Sequence, residues 1–244
     1  MTTPTLSTRE TAAPPVGLYR VGAWAPLAYL LVFGTGWLVL GHFFPPFSPA
    51  DGPDEIAHQF LDRRIQILTG SVLMMVSTVI LMPYAALLTL IVRKAEGGAG
   101  MLTLMMGFTQ VTYMVMNFFV PFAFAMATFR PDRDPGLIQF AGDFGFMQFI
   151  GGIAMFWMIW AVTAWAALVT PSRGTAVIPR WFGYLNLWCA ILYLPELLIF
   201  FFHTGPFAWD GLVGFWIPAA VFIIYLLAAT PVFLRIVGRH FHDA

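Results

Sequence analysis

Between Val21 and Arg235 the chain contains six long apolar runs, at about 21–44, 66–92, 101–128, 138–169, 181–203 and 211–235. A helix needs about 20 predominantly apolar residues to cross the hydrocarbon core of a bilayer, and each run supplies them. Inside lipid every backbone polar group must be satisfied within the protein, which leaves helices or a closed barrel. No ten-residue segments of strict apolar–polar alternation occur, so the barrel is excluded. The connections are short, which makes sequential helices antiparallel neighbours. The expected fold is an all-α integral membrane protein: one bundle of six transmembrane helices with short loops.

Composition agrees. Of 244 residues, 59% are hydrophobic and only 10% are charged, against about 25% charged in a soluble domain. Twelve basic and twelve acidic residues cancel, so no basic surface invites nucleic acid. A single cysteine, Cys189, excludes an intrachain disulfide and a cysteine-based zinc site.

Orientation follows from the basic residues. Arg9, Arg20, Arg93, Lys94, Arg173, Arg180, Arg235 and Arg239 fall on one side of the six runs, eight of the twelve. The positive-inside rule puts that side, with both termini, in the cytoplasm of a cell membrane. Residues 1–20 are small, polar and proline-containing and are expected to form a disordered tail. The run after Arg20 is too long for a signal-peptide core, so the first span is expected to be retained. Residues 236–244 form the expected cytoplasmic C-terminal tail.

Charge on the other side concentrates in Asp51–Gly70, DGPDEIAHQFLDRRIQILTG. Pro53, Asp54 and Glu55 suit a helix first turn, where a missing N–H costs nothing and carboxylates meet the positive dipole end. An outer-surface helix between spans 1 and 2 is therefore expected, with Asp54, His58 and Asp62 in one stripe at i, i+4 and i+8. Three readings of that stripe stay open: a solvated or ion-paired face, a substrate-facing acid/base set, and half of a metal site. Arg63, Arg64 and Arg130, on the side away from the basic termini, are read as partners for these acids or for an anionic head group.

Within the spans, Gln110, Tyr113 and Asn117 form a polar seam on the third run, either interhelical glue or site lining. Asp143 shares a face with Gln139 on the fourth, near its outer end. Gly142, Gly145, Gly151 and Gly152 in the same run allow close approach. The fifth run, WFGYLNLWCAILYLPELLIFFFHTG, holds the costliest residue, Glu196, about 22 Å in from Trp181 at 1.5 Å per residue. A charged carboxylate there costs on the order of 3 kcal/mol even on lenient insertion scales. Glu196 is therefore either neutral and functional, or bound to Gln110 or Asn117 as glue. Pro195 is expected to kink the helix. His203 and Asp210 follow at the outer end, level with His42. No broken helix is legible elsewhere. No internal repeat is convincing: Met82-Pro83-Tyr84 and Leu194-Pro195-Glu196 occupy spans two and five, as a three-plus-three inverted repeat requires, but two prolines do not make one.

These polar groups all gather toward one membrane surface, which points to a cavity opening outward or sideways there. Glu196, Asp143 and His203 are the candidate catalytic residues. Asp54, Glu55, His58, Asp62, Arg63, Arg64, Gln110, Asn117 and Asp210 are the candidate substrate-binding residues. No metal and no cofactor is expected, since no phosphate-binding loop, dinucleotide fingerprint, H-E-x-x-H or G-x-S-x-G motif occurs.

The six-span layout, with Pro195-Glu196 followed by Phe200-Phe201-Phe202, resembles the integral-membrane isoprenoid cyclases. That resemblance implies an acid that protonates an alkene or epoxide. The chain lacks the second acid adjacent to Glu196, so no residue role is carried over. The expected function is a cofactor-independent lyase- or isomerase-type membrane enzyme acting by acid/base chemistry on a lipophilic small molecule. A proton-coupled transporter and a non-catalytic membrane subunit are the alternatives.

Overall fold

The computed structural model describes residues 16–170 and 176–241. The expected tail up to residue 15, Arg173 and residues 242–244 lie outside them. The architecture is an all-α bundle of six helices long and apolar enough to cross a membrane: Val16–Leu40, Arg64–Glu96, Met101–Phe129, Pro135–Leu168, Arg180–Phe201 and Leu212–His240. The first helix begins at Val16 and the last runs to His240, so both spans extend into the stretches read from sequence as tails.

The α-helical elements are α1 (Val16–Gly34), α2 (Pro53–Asp62), α3 (Arg64–Glu96), α4 (Met101–Phe129), α5 (Pro135–Gly151), α6 (Trp157–Leu168), α7 (Arg180–Tyr193) and α8 (Ile217–His240). Four of the six spans also contain a turn that is not α-helical. The first winds as a π-helix over Thr35–Leu40, and the last begins as one over Leu212–Trp216. The fourth tightens to a 3₁₀ turn at Gly152–Met155, and the fifth continues as 3₁₀ from Leu194 to Phe201. Pro195, which has no N–H to give an α-helical bond, starts this last stretch. Eight residues is long for a 3₁₀ helix, whose hydrogen bonds are poorer than those of an α-helix.

Close backbone crossings hold the first span against α3. A Cβ on Gly36 would lie 2.7 Å from the Gly70 carbonyl oxygen, and one on Gly22 would lie 2.6 Å from that of Pro83. Only hydrogen fits at such contacts, which suits helix association in lipid, where packing replaces the hydrophobic drive. A buried polar chain ties a third helix in. Tyr29 donates to Asn117 Oδ1 at 2.9 Å, and Asn117 Nδ2 donates to Thr78 Oγ1 at 2.9 Å. The seam residue Asn117 is thus glue, joining α1, α4 and α3.

At one end of the bundle, α3 and α4 are linked by a tight turn. Gly97 has φ 83°, and Gly98 N donates to the Arg93 carbonyl at 3.0 Å, the left-handed C-cap that glycine serves best. Glu96 then caps α4, accepting from the N–H groups of Gly100, Leu102 and Thr103 at 3.1, 3.0 and 3.0 Å. Both ends of the described chain come to this turn: Tyr19 packs on Phe241 with centroids 4.8 Å apart, and Lys94 donates to the His240 carbonyl.

The opposite end carries α2, the surface helix read from Pro53-Asp54-Glu55. Its Ile56, Ala57 and Phe60 are buried. Gln59 Nε2 binds Asp51 Oδ2 at 3.1 Å, and Gln139 Nε2 on α5 binds the Asp51 carbonyl at 3.2 Å. Trp209 Nε1 donates to the Phe47 carbonyl at 2.7 Å, fastening the loop before α8 to the proline-rich turn. Beneath them Trp37, Phe43, Phe60, Phe124 and Phe146 form a continuous aromatic plug, with neighbouring centroids 4.5–6.2 Å apart.

Candidate functional site

The spans enclose a cavity of about 120 Å³. Leu30, Phe33 and Gly34 of α1, followed by Trp37 and Leu38 of the π turn, form one wall. Tyr113 and Met116 of α4, Phe149 and Ile150 of α5, and Phe156 form the next. Tyr193, Glu196, Phe215 and the start of α8 (Pro218, Ala219, Phe222, Ile223) complete it, with Phe44 at the edge. All four non-α turns border this space, either lining it or flanking residues that do. The interruptions set the wall residues off the ordinary 3.6-residue repeat.

The cavity opens on the flank of the bundle, between the first and last spans. Its exposed lining residues are Leu38, Phe44 and Ile223, at 47%, 45% and 41% exposure, all apolar. Toward the α2 end the aromatic plug closes it: Trp37 lines the cavity and packs on Phe43, Phe124 and Phe146. The mouth therefore faces the surface that lipid would cover.

Glu196 is the single ionisable carboxyl on the wall. It is 4% exposed, and its Oε2 is buried without a hydrogen-bond partner. Neither amide expected to hold it does so. Asn117 is engaged by Tyr29 and Thr78, while Gln110 Nε2 sits 3.6 Å from Met106 Sδ with its Oε1 unpartnered. Tyr193, one turn before Glu196, gives its hydroxyl proton to the Pro218 carbonyl at 2.8 Å. That bond ties the acid-bearing segment to the start of α8 at a carbonyl next to a helix break. An unmatched buried polar group costs about 1–3 kcal/mol, so the Glu196 carboxyl weighs against stability.

The other candidate residues lie elsewhere. Asp54, Glu55, His58 and Asp62 are exposed on the free face of α2, and none lines the cavity. Arg64 donates Nε to the Thr128 carbonyl at 2.9 Å and Nη2 to that of Phe129 at 2.8 Å. It thus closes the C-terminal end of α4, where orphan carbonyls favour a cation; Arg133 does the same for Met126. Two of the four basic residues at this end therefore bind carbonyls. Arg63 is exposed. Asp143 is half-buried on α5 and His203 is exposed; among the described residues neither hydrogen-bonds nor ion-pairs with the other. Asp210 is half-buried beside Trp209, and Gln110 is buried away from the cavity wall. Among the described residues no group of three His, Cys, Asp or Glu is placed to hold a metal ion.

Sequence reasoning found Glu196 because an acid stands out in an apolar run. It did not find Trp37, Phe44, Phe156, Tyr193 or Phe222 as wall residues. Their side chains look the same in sequence whether they face lipid, core or cavity.

Fold and site together define a class: a multi-pass, all-helical membrane protein with a buried carboxyl on the wall of an apolar, flank-opening cavity. Comparison with models of protein families, with curated proteins and with solved structures finds no match.

Proposed function

We propose that this protein is a membrane-embedded enzyme that uses Glu196 as a general acid on a lipophilic substrate. The observation that carries the reading is the Glu196 carboxyl, buried, without a hydrogen-bond partner and on the wall of the aromatic cavity. A neutral carboxylic acid in an apolar site can protonate an alkene, epoxide or carbonyl. Phe33, Trp37, Phe149, Phe156 and Phe222 would then offer their ring faces to the developing cation. Isomerisation, cyclisation and hydration all begin with that proton. An apolar mouth on the flank fits a substrate drawn from the bilayer. The asymmetry of basic residues supports a cell-membrane orientation with both termini cytoplasmic and α2 outside. Asp143 and His203, both at the α2 end, would exchange protons with that aqueous side.

The test is to incubate the protein in nanodiscs with lipid extracted from its host membrane and follow conversion by mass spectrometry. Glu196→Gln should leave a monodisperse, folded protein with no conversion. Conversion by Glu196→Gln at the native rate would end this reading.

The interrupted spans favour a second reading, a proton-coupled carrier with Glu196 as the coupling group, since transporters place their sites at discontinuous helices. Proton-gradient-dependent uptake into liposomes, lost in Glu196→Gln, would distinguish it.

A further inference from the structure

Next to the Glu196 cavity lies a second, much smaller space of about 20 Å³, which shares Tyr113, Phe156 and Phe222 with it. The remaining wall includes Tyr84 of α3, Trp160 of α6 and Tyr225 of α8. The volume suits about one oxygen-sized group, and its wall, though mostly apolar, includes side chains that carry N–H and O–H donors. Trp160 is 2% exposed and its Nε1 has no partner; an indole nitrogen can only donate. The Tyr84 and Tyr225 hydroxyls are 2.6 Å apart. One donates to the other, which leaves one phenol proton for this space or for Gln110, whose Oε1 has no partner. A buried indole N–H without a partner beside an apolar cavity asks for an acceptor that carries no proton of its own to place.

We propose that this space is the seat for a single neutral oxygen of the ligand, a ketone, ether or epoxide oxygen, with the hydrocarbon body lying past Tyr113 in the main cavity. The inference deepens the reading of the main cavity as a lipophile site and names the substrate class. It does not depend on proton transfer by Glu196. A charged head group is excluded by the size of the seat and by the absence of a cation from its wall. A hydrocarbon without oxygen would leave the donors unmatched, and mismatched buried donors are what allow a site to reject an analogue lacking the acceptor.

The experiment is competition for a photo-crosslinking methyl ketone, carrying a diazirine at its far end, on the full protein in phosphatidylcholine nanodiscs. A twelve-carbon methyl ketone should displace the probe at a bilayer mole fraction about tenfold lower than the alkane of equal length. Trp160→Phe, which removes the N–H together with one ring of the indole, should bring the two competitors to within about threefold, with alkane competition unchanged as the sign of an intact cavity. Tyr225→Phe provides the same test should Trp160→Phe fail to fold. Equal competition by ketone and alkane in the native protein, as expected if the space holds only water, would overturn the proposal. So would an undiminished preference in both variants. Glu196→Gln should keep the ketone preference. Conversion dependent on Glu196 without any ketone preference would remove the oxygen seat and leave the enzyme reading standing.

Discussion

The ring of Phe60 occupies the space that any side chain on Gly142 would need: a Cβ there would lie 2.6 Å from Phe60 Cε2. This contact helps to seat α2 on α5, beside the Gln139 bond to the Asp51 carbonyl, and places Phe60 in the aromatic plug. Gly142→Val should therefore push Phe60 out and loosen the surface helix, at a cost of about 1–3 kcal/mol. Amide exchange over residues 53–62 would report it as lost protection, with thermal unfolding giving the magnitude. Unchanged exchange there would mean that the hydrogen bonds of Gln59 and Gln139 hold α2 by themselves.

Glu196 sets stability against function. Glu196→Leu removes a buried carboxyl that has no partner, so the variant should be more stable than the native protein by about 1–3 kcal/mol while losing activity. Reversible unfolding in mixed micelles is the measurement. A destabilised Glu196→Leu would show that the carboxyl is holding the bundle together.

Asn117 joins three spans through Tyr29 and Thr78. Asn117→Leu and Tyr29→Phe should each cost about 0.5–2 kcal/mol, the range for interhelical hydrogen bonds in membranes. In the double variant the losses should fall short of their sum, because both remove the same bond. A double-mutant cycle with full additivity would contradict the geometry.

Arg64 closes the C-terminal end of α4 with two carbonyl bonds. Arg64→Ala should cost about 1–3 kcal/mol, in the range for hydrogen bonds to charged groups, with increased exchange at 125–129. Asp54→Asn, His58→Gln and Asp62→Asn, on the exposed face, should each change stability by less than about 0.5 kcal/mol. They should also leave ligand competition in the cavity as it is. A large effect of any of the three on competition would place the face of α2 in the binding path.

The spans were legible because the bilayer imposes a length and an apolar composition that few sequences meet by accident. The surface helix was legible from Pro53-Asp54-Glu55 and the buried period of Ile56 and Phe60. Glu196 was legible as an expensive residue. The π and 3₁₀ turns were not, apart from the start at Pro195. They are decided by what crosses them, as where Gly36 meets the bare backbone of Gly70, and no local propensity encodes that. The charged residues of α2 read as candidate substrate-binding groups because sequence shows where charge is, not which way it faces. Arg64 shows the same limit, since its partners are backbone carbonyls 64 and 65 residues away.

Phe44 stands at the mouth of the cavity with its ring 4.9 Å from Trp216 and 5.7 Å from Phe215. The two sides of that mouth are both locked by glycine, Gly36 against α3 and Gly214 against the Ala208 carbonyl. The doorway is thus a fixed frame, and the exposed groups in it are the side chains of Leu38, Phe44 and Ile223. Exposed side chains change rotamer in picoseconds to nanoseconds, whereas helices shift in microseconds or longer. A ligand entering by this opening would wait on side-chain rotation and not on movement of the bundle.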